Sequence, residues 1–146
     1  MLYRAKDPNK NKWNGVGGKI EPNETPYESC KREILEETGL QAAHLYFRGI
    51  LSFNGVESIY VYVCSEFHGT IVESDEGRLD WKSFDWLLHS EEVVDNIPHY
   101  LRDLLALDSE PKEFACGYSA SGELISFEAK PLNLKKELLA AAVTTV

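Results

Sequence analysis

Residues 18–40 read GKIEPNETPYESCKREILEETGL and combine a glycine turn, an acidic loop and a helix-forming segment. In the last of these, Glu33, Glu36 and Glu37 are spaced at i, i+3 and i+4, so a helix projects all three from one face. Like charges at this spacing repel one another and weaken an isolated helix. Hard divalent cations such as Mg²⁺ prefer oxygen ligands and often lie between carboxylates and substrate phosphates. The pattern therefore indicates either a solvated acidic face or a carboxylate site for a divalent cation.

The same stretch marks both ends of the helix. Thr25, Pro26 and Glu28 form a capping-box pattern with proline at the first helical position. Gly39 supplies a left-handed stop. The apolar stripe expected to face the core consists of Tyr27, Cys30 and Ile34, with Leu35 beside it. The glutamates therefore lie on a helix fixed at both ends, which favours a precisely placed site over a merely solvated face.

These features together resemble the Nudix box. Gly18, Glu24 and residues 32–40 (REILEETGL) match all nine of its specified positions at the correct spacing. The similarity to the MutT-like branch of that superfamily covers about residues 1–127. The resemblance implies an α/β fold, the Nudix α/β/α sandwich with a mixed central sheet.

The N-terminus departs from the family pattern. MutT-like chains generally carry a further strand before the residues that match Leu2, Tyr3 and Arg4, and this sequence does not include it. Residues 1–4 are therefore expected to form the end of a strand. The sheet is expected to lack the usual first strand or to be completed differently. Residues 1–130 are assigned to the Nudix domain and residues 131–146 to a helix-prone C-terminal tail.

The resemblance also implies a ligand set for Mg²⁺ or Mn²⁺. Its members are Glu33, Glu36 and Glu37, the Gly17 carbonyl and Glu76. For Glu76, which lies outside the box, the alternative is an ordinary solvated acidic loop. Glu33 is assigned as the general base, a role that varies among family members. Crowding by like charges raises a carboxyl pKa, whereas a bound metal lowers it.

Four further residues are assigned to the site. Arg32 is grouped with the catalytic residues, because it is expected to pair with Glu24 or its neighbours and orient the glutamates. By resemblance, Asn14, Lys19 and Asp95 are assigned to substrate binding. Asn14 could instead be a turn-forming residue. Asp95, together with the following asparagine, could instead cap a helix.

The rest of the chain predicts two hairpins and one further helix. The first hairpin joins residues 43–53 and 58–67 around Asn54-Gly55, and the second joins 113–118 and 123–127. Residues 97–107 carry a helical apolar stripe. A short strand at 69–72, a helical turn at 90–94 and a sheet covered on both faces are also expected. Trp81 and Trp86 are assigned to the core.

Composition limits the function further. The 146 residues carry a formal net charge of −9, which argues against a nucleic-acid polymer as partner but permits a small phosphorylated substrate. No apolar run reaches membrane-spanning length. Three scattered cysteines are typical of reduced thiols in a cytoplasmic protein, expected as a monomer or homodimer.

The expected activity is Mg²⁺-dependent hydrolysis of a nucleoside triphosphate to the monophosphate and pyrophosphate. Oxidised purine nucleotides such as 8-oxo-dGTP are the leading candidates, on the resemblance around Asn14 and Glu76. The alternatives are a Nudix pyrophosphatase of another nucleoside diphosphate-linked substrate and a Nudix sensor that binds a nucleotide without cleaving it. The box itself does not separate the enzymes from one another.

Overall fold

The computed structural model describes residues 1–132. Its elements in chain order are β1 Leu2–Arg4, β2 Trp13–Asn14, α1 Pro26–Thr38, β3 Gln41–Phe53, β4 Glu57–His68, β5 Gly77–Leu79, α2 Phe84–His89, α3 Ile97–Leu105, β6 Lys112–Tyr118 and β7 Leu124–Pro131. The helix expected in the C-terminal tail lies outside the described residues. None of the helices in residues 1–132 is long and apolar enough to cross a membrane.

The larger sheet has four strands in the order β4-β3-β6-β7. Both predicted hairpins are present, because β3 pairs antiparallel with β4 and β6 pairs antiparallel with β7. Asn54 and Gly55 make the first turn with φ of 52° and 67°, a left-handed conformation that asparagine and glycine adopt most readily. Because β3 and β6 run parallel, the sheet is mixed, as predicted.

The smaller sheet has the order β2-β1-β5. Its central strand β1 pairs antiparallel on both sides, with Leu2 opposite Asn14 and Leu79. Leu2 is completely buried. Residues 2–4 therefore form a strand with two partners. In the larger sheet, β3 pairs directly with β6.

The helices lie on both faces of the larger sheet. Val61 packs against the core cluster that contains α3, whereas its neighbour Tyr62 contacts Tyr27 of α1. Adjacent strand residues point to opposite faces, so α1 and α3 lie on opposite sides. Trp13 and Phe114 are almost completely buried at the centre of the α3-side core. The α/β/α sandwich is confirmed.

Three local predictions are wrong: the core position of Trp81, the strand at residues 69–72 and the helical turn at residues 90–94. The expected cover on both faces holds in part at the edge strand β4: none of its residues is buried, but Val61 and Tyr62, which point to opposite faces, are half-buried. Trp81 is 65% exposed and stacks on Phe67 instead of packing in the core, whereas Trp86 does contact the buried Trp13.

Residues 69–72 and 90–94 form neither a strand nor a helix. Their backbone groups bind other segments instead: the Val72 N–H donates to the Thr38 carbonyl, and the Val94 N–H donates to the Trp13 carbonyl. Hydrogen bonds to distant residues replace the local pattern that the sequence suggested.

Candidate active site

Helix α1 has the ends that its sequence predicts. The Thr25 hydroxyl accepts a hydrogen bond from the Glu28 N–H at 3.2 Å, and the Thr25 N–H donates to the Glu28 carboxylate at 2.8 Å. At the other end, Gly39 has φ 74° and its N–H donates to the Leu35 carbonyl. Both ends are therefore fixed by hydrogen bonds, which holds the glutamates of the last two turns in place.

One face of α1 opens into a cavity of about 560 Å³. Three segments line it: the box helix, the glycine loop and the loop before β5. The lining residues are Arg4, Gly17, Gly18, Lys19, Glu33, Glu36, Glu37, Ser74, Asp75 and Glu76. All five residues predicted to bind metal thus border one space, including Glu76 from outside the box. Their role as ligands stays a prediction.

Glu37 is the most deeply placed of these carboxylates. It is only 5% exposed, and one of its oxygens accepts a hydrogen bond from the Gly17 N–H at 2.9 Å. Burial raises the pKa of Glu37, the Gly17 N–H opposes that rise, and the charges of Glu33 and Glu76 add to it. A buried carboxylate facing other carboxylates is a favourable place for a cation.

Arg32 contacts three glutamates, Glu24, Glu33 and Glu36. Its Nε and Nη2 donate to both oxygens of Glu24 at 2.7 and 2.9 Å, a bidentate pair. Its Nη1 donates to Glu33 at 2.7 Å and to Glu36 at 3.2 Å. The Arg32 hydrogen bond is also the main reason why the pKa of Glu24 falls to about 2. The predicted pairing of Arg32 with Glu24 is therefore present.

The glycine loop approaches the helix closely. A Cβ atom at Gly18 would overlap the Glu33 carboxylate, whereas one at Gly15 would meet nothing within 4 Å. The first glycine of the box therefore makes room for a glutamate that borders the cavity. A larger residue at this position would displace that carboxylate.

The donor set fits a hard divalent cation such as Mg²⁺ or Mn²⁺, because every candidate ligand is an oxygen atom. Within residues 1–132, no three acidic, histidine or cysteine side chains are already gathered around one point. Glu33 and Glu36 bind Arg32 instead, and Glu37 binds the Gly17 N–H. The residues that could hold a cation border the same cavity but are hydrogen-bonded to protein groups.

The predicted substrate residues fall into two groups. Lys19 borders the cavity, but Asn14 and Asp95 do not. Backbone hydrogen bonds from the Trp13 N–H to the Glu92 carbonyl at 2.8 Å and from the Val94 N–H to the Trp13 carbonyl at 3.0 Å join β2 to the segment before α3. Asn14 and Asp95 each follow one of these paired residues and so belong to adjacent segments.

The contacts of Asn14 and Asp95 bear on their alternative roles as a turn residue and a helix cap. The Asn14 Oδ1 accepts a hydrogen bond from the Gly15 N–H at 2.8 Å, a local contact compatible with a turn-forming role. Asn96, not Asp95, occupies the N-cap position of α3, and its side chain makes no capping hydrogen bond. Asp95 is exposed, and its Oδ1 accepts a hydrogen bond from the Tyr118 hydroxyl at 2.9 Å.

Two basic residues at the cavity were not predicted. Arg4 borders the cavity, and the Lys6 ammonium lies 3.0 Å from a Glu76 oxygen. In the sequence both look like ordinary surface cations. Their position depends on the pairing of β1 with β5, which places Arg4 opposite Gly77. That pairing joins segments more than 70 residues apart, and no local pattern indicates it.

Comparison with known proteins identifies the family and the fold. The NUDIX domain family matches residues 1–104. The chain belongs to the Nudix family. A crystal structure of the mutator MutT protein from Bacillus halodurans superimposes with a TM-score of 0.70 and 27% identity, covering 90% of this chain and 89% of that one. The Nudix sandwich is thus observed in a solved relative.

Several relatives of this Nudix chain carry hydrolase names. It is 39% identical over 79 residues to the oxidized purine nucleoside triphosphate hydrolase of Mus musculus, covering 51% of each chain. It is 33% identical over 91 residues to the protein of the same name from Danio rerio, covering 59% of this chain and 58% of that one. It is also 32% identical over 97 residues to the 8-oxo-dGTP diphosphatase of Buchnera aphidicola, covering 63% and 71%. The chain thus spans only about half the length of the first two relatives.

Proposed function

We propose that this Nudix protein hydrolyses a nucleoside triphosphate to the monophosphate and pyrophosphate with the help of a divalent cation. The observation that carries the proposal is that one cavity is bordered both by basic residues, Arg4 and Lys19, and by the carboxylates of Glu33, Glu36, Glu37 and Glu76. A polyphosphate needs both kinds of group, since cations neutralise it and carboxylates hold the metal that orients it.

The glutamates and the Gly17 carbonyl would hold the metal, which when bound would supply positive charge against the polyphosphate and make an attacking water more acidic. Glu33 accepts the proton of that water at its carboxylate. Arg32 keeps Glu33 in position through the hydrogen bond at 2.7 Å and is itself fixed by its bidentate pair with Glu24. Lys19 and Arg4 bind the negatively charged phosphate oxygens, because both border the same cavity.

The base is recognised by Asn14 and Asp95. Because the Gly15 N–H occupies the Asn14 Oδ1, the amide NH₂ remains as a donor. An ionised Asp95 carboxylate offers only acceptors. The Asn14 donor and the Asp95 acceptor together complement a purine edge, which carries hydrogen-bond acceptors and donors of its own. With the names of the mammalian, fish and bacterial relatives, this favours oxidised purine nucleotides, and 8-oxo-dGTP first among them.

The test is a measurement of product release with Mg²⁺ across 8-oxo-dGTP, dGTP, dATP and ADP-ribose. We expect 8-oxo-dGTP to give the highest kcat/KM and to release pyrophosphate. A much better rate with ADP-ribose would remove the triphosphate assignment, and equal rates for all triphosphates would remove the preference for oxidised purines.

The same experiment separates an enzyme from a sensor. The sensor would bind a nucleotide in calorimetry with Mg²⁺ present while no product formed.

Glu36→Gln serves as the site variant and Glu123→Gln as the matched control, since Glu123 is exposed on the β6–β7 turn, away from the cavity. Loss of product in both variants would contradict the assignment of the site.

A further inference from the structure

Tyr118 at the end of β6 is held at three points. Its backbone N–H donates to the Asn54 Oδ1 at 2.7 Å. Its ring lies against Phe53, with the centroids 6.3 Å apart. Its hydroxyl donates to the Asp95 Oδ1 at 2.9 Å. The turn of the first hairpin, the end of β6 and the segment before α3 therefore meet at this one side chain.

The hydrogen bond matters because of what it does to Asp95. The Asp95 carboxylate is exposed and makes no other side-chain hydrogen bond among residues 1–132. A donor on Oδ1 fixes the rotation of the carboxylate and leaves Oδ2 with its lone pairs available. Without the Tyr118 hydroxyl, an exposed aspartate samples several rotamers, and binding a ligand would first have to order it.

The surroundings of the hydroxyl agree with a fixed donor. Burial, followed by the hydrogen bond and charge of Asp95, raises the pKa of Tyr118 above its ordinary value. The phenol therefore keeps its proton throughout the neutral range and always donates.

We propose that Tyr118 is a positioning residue that orients Asp95 as a hydrogen-bond acceptor for nucleobase N–H groups. This inference rests on the proposed function, in which Asp95 contacts the base. It goes further by naming the residue that sets the direction of that contact. The class of base edge that fits is one with adjacent N–H donors, as guanine-type bases present on N1 and N2.

The test is calorimetric binding of dGMP and of 2-deoxyribose 5-phosphate, which lacks the base, to the full chain in the presence of Mg²⁺. Tyr118→Phe removes the hydroxyl but keeps the ring on Phe53 and the N–H on Asn54. Tyr60→Phe is the matched control, because Tyr60 is a partly exposed tyrosine of the edge strand β4. Asp95→Asn and the double variant complete a double-mutant cycle.

We expect Tyr118→Phe to weaken dGMP binding about tenfold, the size of effect that losing one charge-assisted hydrogen bond produces. Tyr118→Phe should leave the affinity for 2-deoxyribose 5-phosphate unchanged. Tyr60→Phe should leave the affinity for both ligands unchanged. In the Asp95→Asn background, Tyr118→Phe should add no further loss. A merely structural role for Tyr118 would weaken both ligands and would not depend on Asp95.

Two results would overturn the inference. One is an unchanged dGMP affinity in Tyr118→Phe, and the other is additive losses in the double variant. If wild type binds dGMP but hydrolyses no triphosphate, the proposed function fails while the cycle still decides the role of Tyr118. If folded wild type binds no nucleotide, both proposals fail.

Discussion

The buried Glu37 carboxylate accepts a hydrogen bond from the Gly17 N–H at 2.9 Å and so joins the box helix to the glycine loop. The two residues are 20 positions apart: Glu37 lies near the end of α1, and Gly17 lies in the loop between β2 and α1. This contact brings the backbone of the loop to the carboxylates and closes one side of the cavity. Glu37 therefore has two roles, one in the fold of the loop and one in the proposed metal site.

Glu37→Gln should separate these roles. The amide removes a buried negative charge that faces Glu33 and Glu76, so we expect Tm measured in EDTA to stay the same or rise. Mg²⁺ should raise the Tm of wild type, because it binds the folded state only, and should raise that of the variant far less. Activity should fall at least about 100-fold. Equal Mg²⁺-induced shifts in both proteins, measured by thermal denaturation, would show that Glu37 does not hold the metal.

Gly18→Ala should impair catalysis more than folding. The added Cβ would overlap the Glu33 carboxylate, which lies at the end of a flexible side chain and can move aside. We expect Tm to change little while kcat falls, since Glu33 is displaced from the cavity. Gly15→Ala is the matched control, because its Cβ meets nothing within 4 Å and its backbone N–H is retained. Similar kcat values for the two variants would contradict the steric explanation.

Arg32→Lys should also reduce activity. A lysine keeps the positive charge but cannot donate in parallel to both Glu24 oxygens while also reaching Glu33. We expect a loss of about 10- to 100-fold in kcat, the usual effect of removing a group that orients a metal ligand. Arg102→Lys, on an exposed part of α3, should leave kcat unchanged. Full activity in Arg32→Lys would show that charge alone is sufficient at this position.

Arg48→Met tests stability rather than activity. Arg48 is buried, and its guanidinium donates to the carbonyls of Asp103, Leu104, Ala106 and Ser109 at the C-terminal end of α3. Methionine removes all of these donors, and although the Ala106 carbonyl keeps the Ser109 N–H, we expect a loss of about 3 kcal/mol in the free energy of unfolding. The exposed Arg102→Met should cost about 0.5 kcal/mol or less. Urea denaturation measures both, and similar values for the two variants would contradict the account.

The sequence predicted the parts of the fold that depend on short-range patterns. The capping residues Thr25 and Glu28, the stop at Gly39 and the turn at Asn54 each act within a few residues, and the structure has all of them. The resemblance to the Nudix family added the sandwich and the assignment of Glu76, which borders the cavity together with the box glutamates. Each of these features is encoded either by residues close together in the chain or by similarity to the family.

The remaining features depend on which segments pair at long range. Arg4 reaches the cavity only because β1 pairs with β5, and Tyr118 reaches Asp95 only because β6 ends beside the segment before α3. Trp81 is exposed although tryptophan usually packs in a core, because its loop lies over Phe67 at the surface. A single sequence contains no local signal for these pairings. The cytoplasmic location and the oligomeric state stay predictions.

The most direct test of the central claim is the rate of pyrophosphate release from 8-oxo-dGTP during a titration with Mg²⁺ that starts in excess EDTA. We predict no release in EDTA and a rate that rises to saturation with free Mg²⁺, because in the proposed mechanism the carboxylates bordering the cavity act through a bound cation. A rate that is the same in EDTA and in Mg²⁺ would contradict the account.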